Sequence, residues 1–347
     1  MKIRLATLLL GLFIIIGSVI FYITNNHASS EPPKTPGSDS SSDSSDSESI
    51  GNPEEYANIK TIADDQGPDT AWEYVVKTYA TNNASSSAGH DFAHYVGKLI
   101  FEKKGLTGMT ICSPVLAFGC YHGLLDQAFK KDLSKLSEAQ EACEKLGDRG
   151  SGPVASCTHG IGHGVASYFK SADLTGALKT CDALPENSPQ YCYDGVFMEF
   201  ARDSLDSFFR PNDPLYPCNA IDAKYTYACG RNLPAVLMDR FQKSFEDVAK
   251  ICEKSKSSSL TSSCYTALGF QAARSSTDGI DKVITLCETL SDKNFQYQCK
   301  SAAAGDLIFQ NIAGWKTDSP AICDTLEKPQ STSCLTHVQR IQTSYRR

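Results

Sequence analysis

The chain has 347 residues, 40 acidic and 33 basic, for a formal net charge of −7. Residues 1–55 hold Lys2, Arg4 and Lys34 against Glu31, Asp39, Asp43, Asp46, Glu48, Glu54 and Glu55, a net −4, so the remainder carries only −3. No basic face is large enough for nucleic-acid binding, and the composition excludes collagen-like, wholly disordered and multi-spanning membrane classes.

Two positive charges, Lys2 and Arg4, precede an uncharged and mostly apolar run over residues 5–24. At about 1.5 Å per residue such a run spans the roughly 30 Å hydrocarbon core as one helix. The flanking charges keep the N-terminus cytoplasmic and put the body on the far side. A cleaved signal peptide is the alternative, but the apolar region is long for one and the small-residue exit near Ala28 is poor. The expectation is a signal-anchor over residues 1–24, with the body extracytoplasmic. No cysteine precedes Cys112, which excludes a lipoprotein anchor. Residues 25–55, rich in Ser and Asp, have too little apolar surface to offset their ordering entropy, and are expected to form a disordered tether.

The body, residues 56–347, contains fourteen cysteines. Read as neighbours they pair as Cys112 with Cys120, Cys143 with Cys157, Cys181 with Cys192, Cys218 with Cys229, Cys252 with Cys264, Cys287 with Cys299, and Cys323 with Cys334. The separations are 8, 14, 11, 11, 12, 12 and 11 residues. An even count at regular spacing behind an export signal indicates disulfides in an oxidising compartment. Thiolate metal sites usually need spacings of two to four residues, which do not occur. From Cys143 onward the first cysteines recur at 38, 37, 34, 35 and 36 residues, the signature of stacked helical hairpins. Apolar positions spaced three and four apart before Cys252 and Cys287 mark one helical face, a polar turn follows, and a second helix is expected to begin near the second cysteine. Each disulfide then clamps the end of helix A to the start of helix B.

This pattern resembles the secreted, cysteine-rich members of the tetratricopeptide-like repeat proteins, over roughly residues 130–347. The resemblance implies an α-solenoid of disulfide-bridged hairpins that often serves in binding, and implies no activity. The expected fold is all-α, about seven disulfide-clamped hairpins behind one transmembrane helix and a linker.

Five of the seven histidines share one register. His90 and His94 form an HxxxH; His122 precedes Asp126 by four; His159 and His163 form a second HxxxH; Asp194 then takes the histidine position, with Glu199 five residues on. The steps from His90 to His122, His159 and Asp194 are 32, 37 and 35 residues, the repeat period itself. Residues four apart share a helix face, and in a solenoid the B helices line one concave wall. Imidazole with carboxylate is a ligand set for zinc, iron, copper or manganese. The glycines after His122, His159 and Asp194 point to close helix packing beside the polar row. Repeat packing alone does not confine these residues to the first four units, since the later equivalents are Arg231, Thr266, Ser301 and Thr336. His27 and His337 lie off the register. His90 and Asp91 are similar to the metal-binding pair of HD-type phosphohydrolases, but the disulfide repeat does not match that fold.

The expected site therefore lies in a histidine-bearing half, about residues 56–210, ahead of plain repeats at about 211–347. His90, His94, His122, His159 and His163 are the candidate ligands for one or two divalent ions. Asp126, Asp194 and Glu199 are candidate ligands or acid/base groups, and Asp91 a candidate to orient an imidazole. The chemistry expected of a catalytic site is metal-activated water for hydrolysis, or metal-based redox. The alternative is a non-catalytic scaffold whose concave face takes a peptide or an envelope protein.

Overall fold

The computed structural model describes residues 52–80, 87–148, 152–185, 188–203 and 209–345. The expected anchor at 5–24, His27 and most of the expected tether lie outside them. Among the described residues no helix is long and apolar enough to cross a membrane. Asn52 accepts the Glu54 amide on its side chain at 3.0 Å and Pro53 takes the first helical position, so helix α1 (Pro53–Asp65) starts within the expected linker.

The described residues are all-α and contain no strand. Helices α2 (Pro68–Val75) and α3 (Ser87–Lys104) complete the N-terminal packing unit with α1. The hairpins follow. Their A helices are α5 (Leu136–Glu144), α7 (Leu174–Cys181), α10 (Phe245–Glu253), α12 (Ile280–Glu288) and α14 (Trp315–Asp324). Their B helices are α4 (Gly119–Phe129), α6 (Gly152–Tyr168), α8 (Pro189–Asp203), α9 (Thr226–Ala235), α11 (Ser258–Arg274), α13 (Lys293–Phe309) and α15 (Gln330–Tyr345). Local chemistry starts several of them. Ser244, Ser257 and Asp292 each accept a backbone amide two or three residues on, which satisfies one of the orphan donors of a first turn.

Seven disulfides join neighbouring cysteines, from Cys112–Cys120 to Cys323–Cys334, and no described cysteine is free. Such a set belongs to an oxidising, extracytoplasmic compartment. Two details differ from the expected clamp. The second cysteine of several pairs sits one to two turns inside helix B, as Cys264 does in α11 and Cys299 in α13, because the B helices start earlier than the cysteines suggest. Among the described residues the first and fourth bridges have no A helix to hold. Cys112 follows a 3-10 run (Gly105–Ile111), and Cys218 lies in the turns of residues 209–222, where Pro211, Pro214 and Pro217 interrupt helical hydrogen bonding.

The B helices lie side by side in chain order, α3 on α4, α4 on α6, α6 on α8, and so on to α13 on α15. They then return on themselves: α15 also packs on α6, and Phe309 of α13 stacks on Phe118, just ahead of α4, at 5.9 Å between ring centroids. The first and last hairpins therefore meet, and the shared wall of B helices is buried. Helix spacing along that wall is set by glycine. A Cβ on Gly123 would overlap the His94 carbonyl, and one on Gly195 would overlap the His159 carbonyl. Two backbones thus pass closer than any side chain permits, which brings their histidines face to face.

Candidate metal centre

Four neighbouring helices build the site. α3 presents His90 and His94, α4 presents His122, α6 presents His159 and His163, and α8 presents Asp194 and Glu199. The one-period spacing becomes direct contact. The His122 ring lies 5.8 Å from His90, 5.4 Å from His94, 5.3 Å from His159 and 5.0 Å from His163, centroid to centroid. All five sequence-predicted imidazoles thus belong to one cluster, with His122 at its centre.

The outer nitrogens of three imidazoles are spoken for. Nδ1 of His163 meets Oε2 of Glu199 at 2.6 Å, and Nδ1 of His159 meets Oδ2 of Asp194 at 3.3 Å. Nδ1 of His90 is 2.8 Å from the Leu116 carbonyl oxygen. A carbonyl or carboxylate oxygen accepts, so each Nδ1 carries the proton and each Nε2 keeps its lone pair. Those lone pairs converge. Nε2 of His159 and Nε2 of His163 stand 3.1 Å apart, and the Nε2 lone pair of His90 lies 3.1 Å from Nε2 of His94. Two nitrogens bound to one tetrahedral zinc at the usual bond length are separated by about 3.3 Å. The observed spacing is close to that.

The charges around the cluster are arranged to keep it this way. Burial pushes the imidazoles of His90, His94, His122 and His163 below their ordinary pKa, so they are neutral near pH 7. Burial also raises the Asp194 carboxyl, but Arg231 and His159 outweigh it and hold the group at about 2. Asp194 is therefore an anion at neutral pH. Its Oδ1 also accepts from Arg231 Nε and Asn232 Nδ2, each at 3.2 Å. Arg202 binds Glu199 on its other oxygen.

Two groups of three imidazoles have donor atoms within 4.8 Å of one another: His90, His94 and His122, and His122, His159 and His163. His122 belongs to both. Its Nε2 is buried with no hydrogen-bond partner, an unusual state for a polar atom in a residue only 7% exposed. Three imidazoles with an oriented outer shell form a set that suits zinc or copper.

The three candidate carboxylates stand around the imidazoles. Asp194 and Glu199 grip the Nδ1 atoms of His159 and His163 from behind. Asp126 accepts a hydrogen bond from Ser167 Oγ, outside both imidazole groups. The orienting part expected of Asp91 falls to the Leu116 carbonyl. That carbonyl belongs to an unusual turn, with Leu116, Ala117 and Phe118 at φ of 54°, 50° and 63°. Left-handed backbone costs a non-glycine residue about 1–2 kcal/mol, a strain the surrounding packing must hold. No glycine or asparagine marks it in the sequence. Arg231 was also missed, although its register position was the available signal. It occupies the histidine position of the next repeat, and the row His122, His159, Asp194, Arg231 is one continuous line of contacts. The guanidinium then lies 5.0 Å over the ring of Phe270.

Compared with protein-family models, curated proteins and solved structures, the chain matches none.

Proposed function

We propose that this chain is an extracytoplasmic, membrane-tethered helical-repeat protein that binds transition metal through His90, His94, His122, His159 and His163. One observation carries the reading. The Nε2 atoms of His159 and His163 are 3.1 Å apart while both Nδ1 atoms face carboxylates. Two lone pairs at that separation repel unless a cation lies between them. Burial disfavours a proton on His163, and a metal ion between the two nitrogens would relieve the repulsion. An all-imidazole set favours zinc or copper over manganese or magnesium.

Held by these imidazoles, zinc would supply water activation and copper electron exchange. The chain's own residues do the rest. Glu199 and Asp194 fix two ring orientations, Arg202 and Arg231 fix those carboxylates, and the Leu116 carbonyl fixes a third ring. The N-terminal apolar segment at 5–24 belongs to the same proposal as the membrane anchor.

Elemental analysis of the purified, tag-free chain at neutral pH tests it. Near-stoichiometric zinc or copper is expected, and His159→Ala should lose it while circular dichroism stays helical, because disulfides and apolar faces hold the repeats. Metal-free protein that folds and stays empty when zinc or copper is supplied makes these histidines structural. The protein would then be read as a scaffold for a peptide or envelope partner.

A further inference from the structure

We propose that the centre is dinuclear, with His122 bridging two metal ions as an imidazolate, one nitrogen on each. The inference rests on the metal-binding reading above and adds to it the number of ions and the group that links them.

The position of His122 carries the argument. α4 lies between α3 and α6, so the ring stands between two pairs of imidazoles, His90 and His94 on one side and His159 and His163 on the other. Its distances to the two sides are nearly equal, 5.8 and 5.4 Å against 5.3 and 5.0 Å. Each side is a pair of nitrogens already at ligand spacing, 3.1 Å, and each lacks a third donor that only His122 supplies. A neutral imidazole has one lone pair and completes one group. The imidazolate anion has a lone pair on each nitrogen and completes both.

The surroundings fit that anion. In His159, His163 and His90 the outer nitrogen is occupied by a carboxylate or a carbonyl, which prevents those rings from bridging. His122 is the member of the cluster in both groups, and its buried Nε2 has no hydrogen-bond partner. The step balances simply. Binding of the second divalent ion displaces the remaining ring proton of His122 to bulk water, forms one metal–nitrogen bond and breaks one N–H bond, with no change of oxidation state.

Copper(II) is the probe, because two such ions joined by an imidazolate pair their unpaired electrons through its σ framework. The full chain in detergent is stripped, titrated with copper(II), and followed by elemental analysis and by integrated electron paramagnetic resonance at low temperature. The expected result is two bound coppers whose spin count falls to less than half of the bound copper. Replacing one copper by zinc should restore a full signal from the other. His122→Gln and His122→Ala should bind copper more weakly at both positions, and whatever copper they hold should give its full spin count. His90→Ala should leave one copper with its full signal, which tests the idea even where the His122 variants fail to fold. Two coppers with a full spin count, or saturation at a single copper, overturn the bridge while the metal-binding reading stands. No bound copper overturns the bridge, and a chain that takes up neither copper nor zinc overturns both.

Discussion

Gly195→Ala tests the link between backbone spacing and the site. The new methyl would overlap the His159 carbonyl oxygen and stand 3.1 Å from the Gly162 Cα. Restoring an ordinary carbon–oxygen separation of about 3.3 Å requires α8 to move roughly 1 Å away from α6. That motion stretches the His163 Nδ1 to Glu199 contact from 2.6 Å to about 3.6 Å, beyond hydrogen-bond range. The Asp194 contact with His159, already 3.3 Å, goes with it. Overpacking of this kind costs about 1–3 kcal/mol, a melting-temperature drop of about 2–10 °C at this size. Loss of the carboxylates behind two ligands should weaken metal binding about 10–100-fold. Gly269→Ala is the matched control, since its methyl would overlap the Cys299 carbonyl in a later repeat. It should show a similar thermal penalty with unchanged metal affinity. Thermal denaturation and competitive metal titration of both variants are the assays. Equal metal loss in the two variants, or none in Gly195→Ala, would refute the claim that this glycine seats the carboxylates.

Asp306 offers a pH signature away from the histidines. Burial raises its carboxyl to about 6, above the unfolded value of 3.8, so the native state pays nothing below pH 4 and loses stability as pH rises through 6. Two units correspond to at most about 3 kcal/mol, and partial exposure trims this. Asp306→Asn should therefore raise the melting temperature at pH 8 and leave it nearly unchanged at pH 4; a gain of equal size at both would sink the assignment. Replacing Cys287 and Cys299 together by alanine opens a 12-residue separation and should cost about 3 kcal/mol in the chain-entropy model, read by denaturant unfolding, with metal content unchanged. Peptide mapping without reduction should recover only neighbouring pairs. A cross-repeat pair such as Cys157 with Cys181 would break the register on which the histidine row depends.

The features legible in the sequence are those encoded by period. Cysteines one repeat apart and apolar positions at helical spacing specify hairpins, because each hairpin buries its face only on its neighbours. The same period put His90, His122, His159 and Asp194 at equivalent places, so their gathering on one wall followed from counting. Glycine beside His122 and Asp194 already implied close helices. What counting could not supply is which nitrogen faces which oxygen. That His159 and His163 turn their Nε2 atoms together depends on carboxylates reaching across from α8, and His90 depends on a carbonyl in a left-handed turn of Leu116, Ala117 and Phe118 that no glycine announces. Asp126 shared the histidine spacing but meets Ser167 instead, since a register places a side chain on a face without choosing its partner. Arg231 seemed to end the row and in fact continues it as the counter-charge of Asp194. The return of the last hairpins onto the first, with Phe309 against Phe118, joins elements far apart in the chain, and no local spacing encodes it. Each hairpin packs on its own neighbours, so only the assembled stack determines where the ends meet and that the histidine wall is buried.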